Sequence, residues 1–413
     1  MHIIEQAFCR IEYEKFTLRE MDQIPPDRER ELQDLIQKHG ERSQRRQHYK
    51  RLAVLKSETG SADRGSYYAQ VYGIAGVRRY VTSSGHTVYA IPVLSFQMSP
   101  LRSHDTNCHL VLGKDPTLID CGTGASEPSL EEGFRVVRDF FGEKVSIEDI
   151  RNVIVTHAHI DHFGGLTFLY PRCRPDVYAH EDDAQSIRNV QDVLSQTSET
   201  IARFLSVAGI EPAELKELRE MYTKSKRTAE GIPVTHPVRD GDRVIEDFEI
   251  IHVPGHCPGQ INIRIGDIAF LGDHILMDIT PHQFPRFYMK GMGLVHYIPS
   301  LLKISSRAQK IRLGLPGHNE AVYDVRGRAM EIIDLHHNRL ADLLSLMDRP
   351  KTLYELTTQY FTEIEGKPLT GYDRILALEE IQAHMEYLDG AMNYVEVVRG
   401  EGDDGEVLRY RRR

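Results

Sequence analysis

Val153-Ile-Val-Thr-His157-Ala-His159-Ile-Asp161-His162-Phe-Gly-Gly165 is a segment in which an apolar run is followed by four metal-capable side chains within six residues. The apolar run predicts a buried strand that ends at Thr156. We expect Gly164 and Gly165 to loosen the backbone after the polar cluster. A cluster of this kind on the loop after a strand indicates a metal site, because the strand holds the loop rigidly.

The spacing of the four polar residues predicts two ions. His157 and His159 alternate on one side of an extended stretch, so both imidazoles can reach the same ion. Asp161 and His162 point elsewhere and can serve a second ion. A polar loop that happens to hold three histidines is the alternative, but further candidate ligands elsewhere in the chain argue against it.

Three later apolar runs also end in candidate ligands. Each run predicts a strand, and each is followed within three residues by a histidine or an aspartate. The three pairs are Glu249–Val253 before Pro254-Gly-His256, Ile268–Gly272 before Asp273, and Ile311–Leu315 before Pro316-Gly-His318.

In these ordered motifs the chain resembles the metallo-β-lactamase superfamily, over roughly residues 85 to 335. The resemblance implies an α/β fold, a four-layer αβ/βα sandwich with the site at one edge of two packed sheets. It implies that Asp120, in Ile119-Asp-Cys-Gly-Thr-Gly124, supports the site from behind the ligands. The implied ligands are His157, His159 and His256 for one metal, Asp161, His162 and His318 for the other, and Asp273 between them.

The ligand types indicate the cofactor and the reaction. Imidazole with carboxylate suits two divalent ions, with Zn²⁺ favoured and manganese or iron as alternatives. Two such ions supply a shared hydroxide near neutral pH and polarise the substrate, so we expect hydrolysis. Asp161 is the predicted catalytic residue, which orients the hydroxide and carries a proton. Cys257, next to His256, is a less favoured candidate for a nucleophile or a ligand.

Composition fits an ordinary soluble enzyme. The chain has 413 residues, of which 40% are hydrophobic, and no apolar stretch predicts a membrane span. Five scattered cysteines without a CxxC pair, and an N-terminus without a signal-like segment, predict a cytoplasmic location. The net charge of −10 gives no general attraction to nucleic acid or to an anionic membrane.

The chain divides into three predicted parts. Residues 1–80 form an N-terminal helical extension, with a helix at 25–40, which wraps the core or joins a homodimer contact. Residues 81–328 form the catalytic domain, in which apolar residues at helical spacing in 182–231 predict an inserted group of helices. This insertion either packs as core or covers the metal site as a lid.

Residues 329–413 resemble the winged-helix-like C-terminal domain of a superfamily subgroup that includes the lactamase-beta-like endoribonuclease. A His-x-x-Arg sequence, His336-His-Asn-Arg339, precedes two helices and a hairpin with an Asp404-Gly405 turn. The candidate recognition helix, Leu376–Leu388, contains three glutamates and no lysine or arginine. We therefore expect a packing or dimer role for this domain, and nucleic acid is not the expected partner.

Two classes of function remain open from the sequence. The first is hydrolysis of an acyl bond in a small molecule, a thioester, an ester or a lactone. The alternative is a single-strand-specific endoribonuclease, which needs a positive groove that an acidic chain offers poorly. A regulator with a vestigial metal site is a third reading, which the complete ligand set disfavours. The aromatic segment after Asp273 supplies the predicted substrate contacts Phe284, Arg286, Phe287 and Tyr288.

Overall fold

The computed structural model describes residues 76–99, 102–225, 230–245, 247–366, 369, 371–399 and 407–413. The predicted helix at 25–40 and the predicted Asp404-Gly405 turn lie outside these residues. Nearly all described residues belong to one unit, Tyr72–Met98 with Arg102–Arg413. Within the described ranges, no helix combines the length and the apolar character that crossing a bilayer requires.

The first sheet has seven strands, which lie side by side in the order of the sequence. Strands β3 and β4 pair antiparallel, whereas β4 to β7 pair parallel. The strands are β1 Arg78–Val81, β2 Thr87–Ser99, β3 Arg102–Leu112, β4 Thr117–Ile119, β5 Asn152–Ile154, β6 Asp176–His180 and β7 His236–Val238. The helices between β4 and β7 are α1 Glu127–Asp139, α2 Ile160–Phe163, α3 Leu166–Cys173, α4 Glu181–Arg188, α5 Val190–Val207 and α6 Pro212–Ser225.

The second sheet has five strands in the order β12-β11-β10-β9-β8. From β8 to β11, each strand pairs antiparallel with the next strand in the chain, and β11 pairs parallel with β12. The strands are β8 Arg243–Val244, β9 Phe248–His252, β10 Ile261–Ile265, β11 Ile268–Gly272 and β12 Leu313–Pro316. Helix α7, Leu294–Arg307, connects β11 to β12, and helix α8, Val325–Ser345, follows β12.

The two sheets pack face to face around an apolar core. Ile119 and Ile154 from the first sheet share this core with Ile250 and Phe270 from the second. Burying each such side chain stabilises the fold by roughly 1.5–3 kcal/mol. Helices α1 and α3 cover the outer face of the first sheet, and α7 and α8 cover that of the second. The predicted four-layer α/β sandwich is confirmed.

The strand directions bring all four sequence motifs to one edge of the sandwich. Strands β4, β5 and β6 are parallel, so their carboxyl ends lie together. In the second sheet, two antiparallel pairings orient β9 like β11, and β12 is parallel to β11. The loops after β5, β9, β11 and β12 are the loops that carry the candidate ligands.

Gly164 and Gly165 are closely packed, and the prediction that they loosen the backbone is wrong. Both have ordinary helical dihedral angles, with φ near −61° and −66°. A Cβ at Gly165 would lie 2.0 Å from the carbonyl oxygen of Cys121, so only glycine fits. The two glycines therefore allow the segment after strand β5 to pack closely against the loop that follows strand β4.

The C-terminal part adds a small three-stranded antiparallel sheet and two helices to the same unit. The elements are β13 Lys351–Thr352, α9 Leu353–Gln359, α10 Tyr372–Glu386, β14 Val395–Arg399 and β15 Leu408–Arg412. Helix α10, which contains most of the candidate recognition helix, is almost entirely buried from Ile375 to Met385. It does not present a free surface to a nucleic acid, and the winged-helix character of this region stays a prediction.

Candidate metal centre

The seven predicted ligands converge at the edge where the two sheets meet. One group contains the nitrogen or oxygen atoms of four side chains, all within 4.8 Å of one another, and a second group contains three. Both groups are buried, except for the half-buried His159. The first group is His157, His159, His256 and Asp273, and the second is Asp161, His162 and His318.

Asp273, a member of the first group, also faces the second group. Its Oδ2 atom is 3.7 Å from Nε2 of His256 and 3.2 Å from Nε2 of His318. Its Oδ1 atom is 3.5 Å from Nε2 of His162. One carboxylate therefore faces histidines of both groups, as a bridging ligand would.

Backbone carbonyls orient two of the histidines. Nδ1 of His256 donates to the carbonyl oxygen of His282 at 2.7 Å, and Nδ1 of His318 donates to that of Asp105 at 2.7 Å. A proton on Nδ1 leaves the lone pair of Nε2 directed into the centre. Contacts of this kind fix the tautomer and the ring orientation of metal-binding histidines.

Asp120 orients two further histidines from behind. Its Oδ2 atom accepts from Nδ1 of His162 and from Oγ1 of Thr156, both at 2.8 Å. Because the Thr156 hydroxyl donates to Asp120, it accepts from Nδ1 of His157 at 3.0 Å. Asp120 has a φ of 57°, which non-glycine residues rarely adopt and which often marks a functional position.

His159 is the ligand candidate whose partner is sulfur. Its Nδ1 atom lies 3.0 Å from Nε2 of His157, whereas its Nε2 atom lies 3.3 Å from Sγ of Cys257. The thiol is thus on the side of the ring away from the donor group. Burial raises the pKa of Cys257 well above its usual value, so the sulfur is a neutral thiol. This favours a supporting contact over a nucleophile or a metal ligand.

The motifs did not point to Asp183, which joins two of the ligand loops. Its carboxylate accepts from the backbone N–H of Ala158 at 2.8 Å and from that of Gly259 at 2.7 Å. Burial raises the pKa of Asp183 to about 6. Its position directly after strand β6, at the same edge as the other motifs, is the signal that could have identified it.

The electrostatics of the centre favour bound cations. Burial, with the neighbouring histidines, lowers the pKa of His157 and His159 well below the usual value, which leaves neutral imidazoles. Burial also opposes a charge on His162, but the carboxylates of Asp273 and Asp161 outweigh it and raise its pKa well above the usual value. The acidic side of the centre thus requires positive charge, from protons or from metal ions.

Two buried polar atoms provide a direct test of whether metal ions fit. Among the residues that the structure describes, Nε2 of His162 and Oδ1 of Asp273 have no hydrogen-bond partner. Leaving such atoms buried and unsatisfied costs roughly 1–3 kcal/mol each. Both atoms point into the donor cluster, and nitrogen and carboxylate oxygen are ordinary zinc ligands. The residues present therefore fit two divalent ions.

The four predicted substrate contacts lie on the loop between β11 and α7. The ring of Phe284 is 5.4 Å from that of His159 and 5.9 Å from that of His256, between centroids. Phe287 and Tyr288 pack instead against Phe204 of helix α5, at 5.4 and 6.5 Å between centroids. The fourth predicted contact is the solvent-exposed Arg286.

Helix α10 holds this loop through glutamates. Glu379 and Glu380 lie 3.2 and 3.3 Å from the two ring nitrogens of His282. Burial lowers the pKa of His282, but these carboxylates outweigh it and raise that pKa to about 9. The backbone N–H of Arg286 donates to Glu386 at 2.8 Å. The sequence pattern of these glutamates indicates only a helix unsuited to DNA; it does not predict their contacts with the loop.

Known proteins share this architecture. The family model for the metallo-beta-lactamase superfamily matches residues 102–335. The probable metallo-hydrolase YqjP of Bacillus subtilis (strain 168) is 24% identical over 302 residues, which covers 70% of this chain and 90% of that relative.

A second relative and a solved structure extend the comparison. The transcription termination factor FttA of Methanocaldococcus jannaschii is 26% identical over 258 residues, 57% of this chain but 37% of that relative. The crystal structure of the metallo-beta-lactamase family protein TTHA1429 from Thermus thermophilus has a TM-score of 0.61 and 26% identity, and the match covers 79% of this chain and 98% of that one. Because the family model spans more than half of the chain, the protein belongs to the metallo-beta-lactamase superfamily and is a metal-dependent hydrolase.

Proposed function

We propose that this hydrolase cleaves an acyl bond, that of a thioester, an ester or a lactone, in a small molecule. The observation that carries the proposal is the position of Phe284, whose ring contacts His159 and His256 of the donor cluster. A substrate at this centre would meet an apolar aromatic surface beside the reacting atoms. Sites for small molecules are mostly apolar with a few polar anchors.

The proposed cofactors are two divalent metal ions held by the seven ligand candidates, with Zn²⁺ favoured. Imidazole and carboxylate donors without a thiolate suit zinc and also accept manganese or iron. When bound, such a pair supplies a water nucleophile at neutral pH and polarises the substrate oxygen. The two unsatisfied atoms at His162 and Asp273 support this assignment.

Asp161 is the proposed catalytic residue. Its Oδ2 atom is 3.4 Å from Nε2 of His318 and 3.7 Å from Nε2 of His162, and it accepts from the Thr106 hydroxyl at 3.4 Å. A carboxylate at the donor cluster can take a proton from water and deliver it to the leaving group.

The proposed substrate pocket lies between the loop of Phe284 and the inserted helices. Phe204 of helix α5 packs against Phe287 and Tyr288, so the insertion reaches the loop that borders the donor cluster. This contact supports the lid role proposed for residues 182–231. Arg286, exposed on the same loop, is the proposed anchor for a carboxylate or phosphate of the substrate.

A single-strand endoribonuclease is the second candidate, because one relative is a transcription termination factor. Single-strand binding needs a positive groove and exposed aromatic platforms. The net charge of −10 and the burial of helix α10 both favour the small-molecule substrate.

The proposed location is the cytoplasm. In the described part of the chain, four cysteines have free thiols, which is in keeping with this proposal; these are Cys108, Cys121, Cys173 and Cys257.

A hydrolysis screen on purified protein of measured metal content tests the proposal. The panel pairs acyl-thioesters, esters and lactones with single-stranded RNA, each at low and high salt. We expect metal-dependent turnover of an acyl substrate with weak salt dependence. His318→Ala is the control, since it should abolish turnover that belongs to this site. Cleavage of RNA that falls steeply with salt, without turnover of any acyl substrate, would place the nuclease first.

A further inference from the structure

Three glutamates on helix α10 bind the loop that borders the metal centre. Glu380 accepts from the backbone N–H of Gln283 at 2.6 Å, and Glu386 accepts from that of Arg286 at 2.8 Å. Glu379 accepts from the Tyr288 hydroxyl at 2.8 Å. The C-terminal part of the chain is thus attached to this loop by side chains, at points about one hundred positions away in the sequence.

His282 connects these glutamates to a ligand candidate. Both of its ring nitrogens face carboxylates, Nε2 at 3.2 Å from Glu379 and Nδ1 at 3.3 Å from Glu380. Its backbone carbonyl accepts the Nδ1 proton of His256 at 2.7 Å. With its ring clamped on both sides, the residue has little freedom to move the carbonyl that orients His256.

Arg339, from the His-x-x-Arg sequence of helix α8, completes the charge balance. Its guanidinium donates to Oε1 of Glu380, and its Nε donates to the Tyr360 hydroxyl at 3.2 Å. Glu380 is 7% exposed and Glu379 2% exposed, so each carboxylate needs a partner. One guanidinium and one imidazole provide the two partners.

We propose that Glu379 and Glu380 of helix α10 are positioning residues for the first metal site, acting through His282 on His256. The proposal rests on the metal role proposed for His256. It makes the C-terminal part a structural component of the metal centre, distinct from a module that binds a separate partner.

The expected effect is selective for one of the two ions. Removing a contact that orders a ligating histidine typically weakens metal binding about 10- to 100-fold. The second group is oriented by other residues, Asp120 behind His162 and the carbonyl of Asp105 behind His318. Substitutions of Glu379 or Glu380 should therefore weaken the binding of the ion at His256. The affinity for the other ion should remain nearly unchanged.

Chelator competition with Zn²⁺ on the full chain measures the two binding constants separately. His256→Ala and His318→Ala assign each constant to its site. We expect Glu379→Gln, Glu380→Gln and His282→Gln each to weaken the constant of the His256 site about tenfold or more. Glu386→Gln is the matched control, because this glutamate binds the same loop from the same helix without contacting His282.

The outcomes separate this inference from the metal assignment. If one glutamine variant does not fold, the other variants still test the proposal. The variant most expected to fold is His282→Gln, because His282 is more exposed than the buried glutamates. A general loss of protein stability would weaken the binding of both ions. Loss of the positioning contacts should weaken the binding of only the ion at His256. If the three variants bind both ions as wild type while His256→Ala loses one, the positioning role is refuted. If His256→Ala retains both ions, the metal role of His256 is refuted as well.

Discussion

Asp161 is the side chain for which we propose both metal contact and proton transfer. It belongs to the second donor group, yet its Oδ2 atom also accepts from the Thr106 hydroxyl at 3.4 Å. The side chain retains slight solvent exposure, at 12%. A carboxylate that contacts the donor cluster and the solvent can exchange protons between them.

Asp161→Asn separates the two tasks. The amide keeps one oxygen for metal contact but cannot carry a proton, so we expect most of the metal to remain. Turnover should fall about 10²-fold or more, the usual scale for general acid–base catalysis. Steady-state kinetics with parallel metal analysis measures both quantities, and Asp139→Asn, at an exposed position, controls for the loss of charge. A near-normal rate would leave Asp161 with only a structural role.

At the scale of residues, the convergence of the ligand candidates could be predicted, but most of the contacts that support them could not. The ligands His157 to His162 are close in sequence and chemically distinctive. The partners of His256 and His318 are backbone carbonyls, of His282 and Asp105. Every residue has a carbonyl, so such a partner leaves no signature in the residue types.

Among elements, the connection between helix α4 and two ligand loops has an energetic consequence. The carboxylate of Asp183 satisfies the buried N–H groups of Ala158 and Gly259. Each donor left buried without a partner costs about 1–3 kcal/mol. A single side chain therefore fixes the loop of the first ligand motif against the loop of the second.

Asp183→Ala should lower the free energy of unfolding by several kcal/mol, because it leaves two donors unsatisfied. Denaturant unfolding of the metal-free protein measures this loss without a contribution from bound ions. The matched control is Asp182→Ala, the neighbouring residue on the same helix, whose side chain is 55% exposed. Equal stability of the two variants would show that the loops are held together by other contacts.

Helix α10 shows why element identity was easier to predict than element role. The sequence predicts a helix at Leu376–Leu388 as part of the winged-helix resemblance, and the observed helix spans Tyr372–Glu386. Its glutamates carry no pattern of their own, because their partners lie about one hundred positions away. Such charges on a predicted helix usually indicate a solvated face. Here Glu379 and Glu380 are instead buried and paired with cationic partners.

For the whole molecule, metal binding should contribute to stability. The ligand candidates follow strands of both sheets, so the complete donor set exists only in the folded chain, and the proposed ions should bind that state more tightly. A ligand at 100 times its dissociation constant stabilises a protein by about 2.7 kcal/mol. We expect removal of metal by a chelator to lower the midpoint of thermal unfolding by several degrees.

Differential scanning calorimetry with and without chelator, followed by addition of Zn²⁺, tests this expectation. Asp273→Ala removes the carboxylate between the two groups, so its midpoint should respond much less to the chelator. A wild-type midpoint that does not change when the metal content falls to zero would contradict the expectation.

The division of the ligands between two sheets also sets when the centre can form. His157 to His162 follow strand β5 of the first sheet, whereas His256, Asp273 and His318 follow strands of the second. Contacts between distant parts of a chain form late in folding, because closing long loops costs entropy first. During synthesis, the first motif emerges well before the last ligand. High-affinity metal capture thus marks the end of folding, when the two sheets have docked.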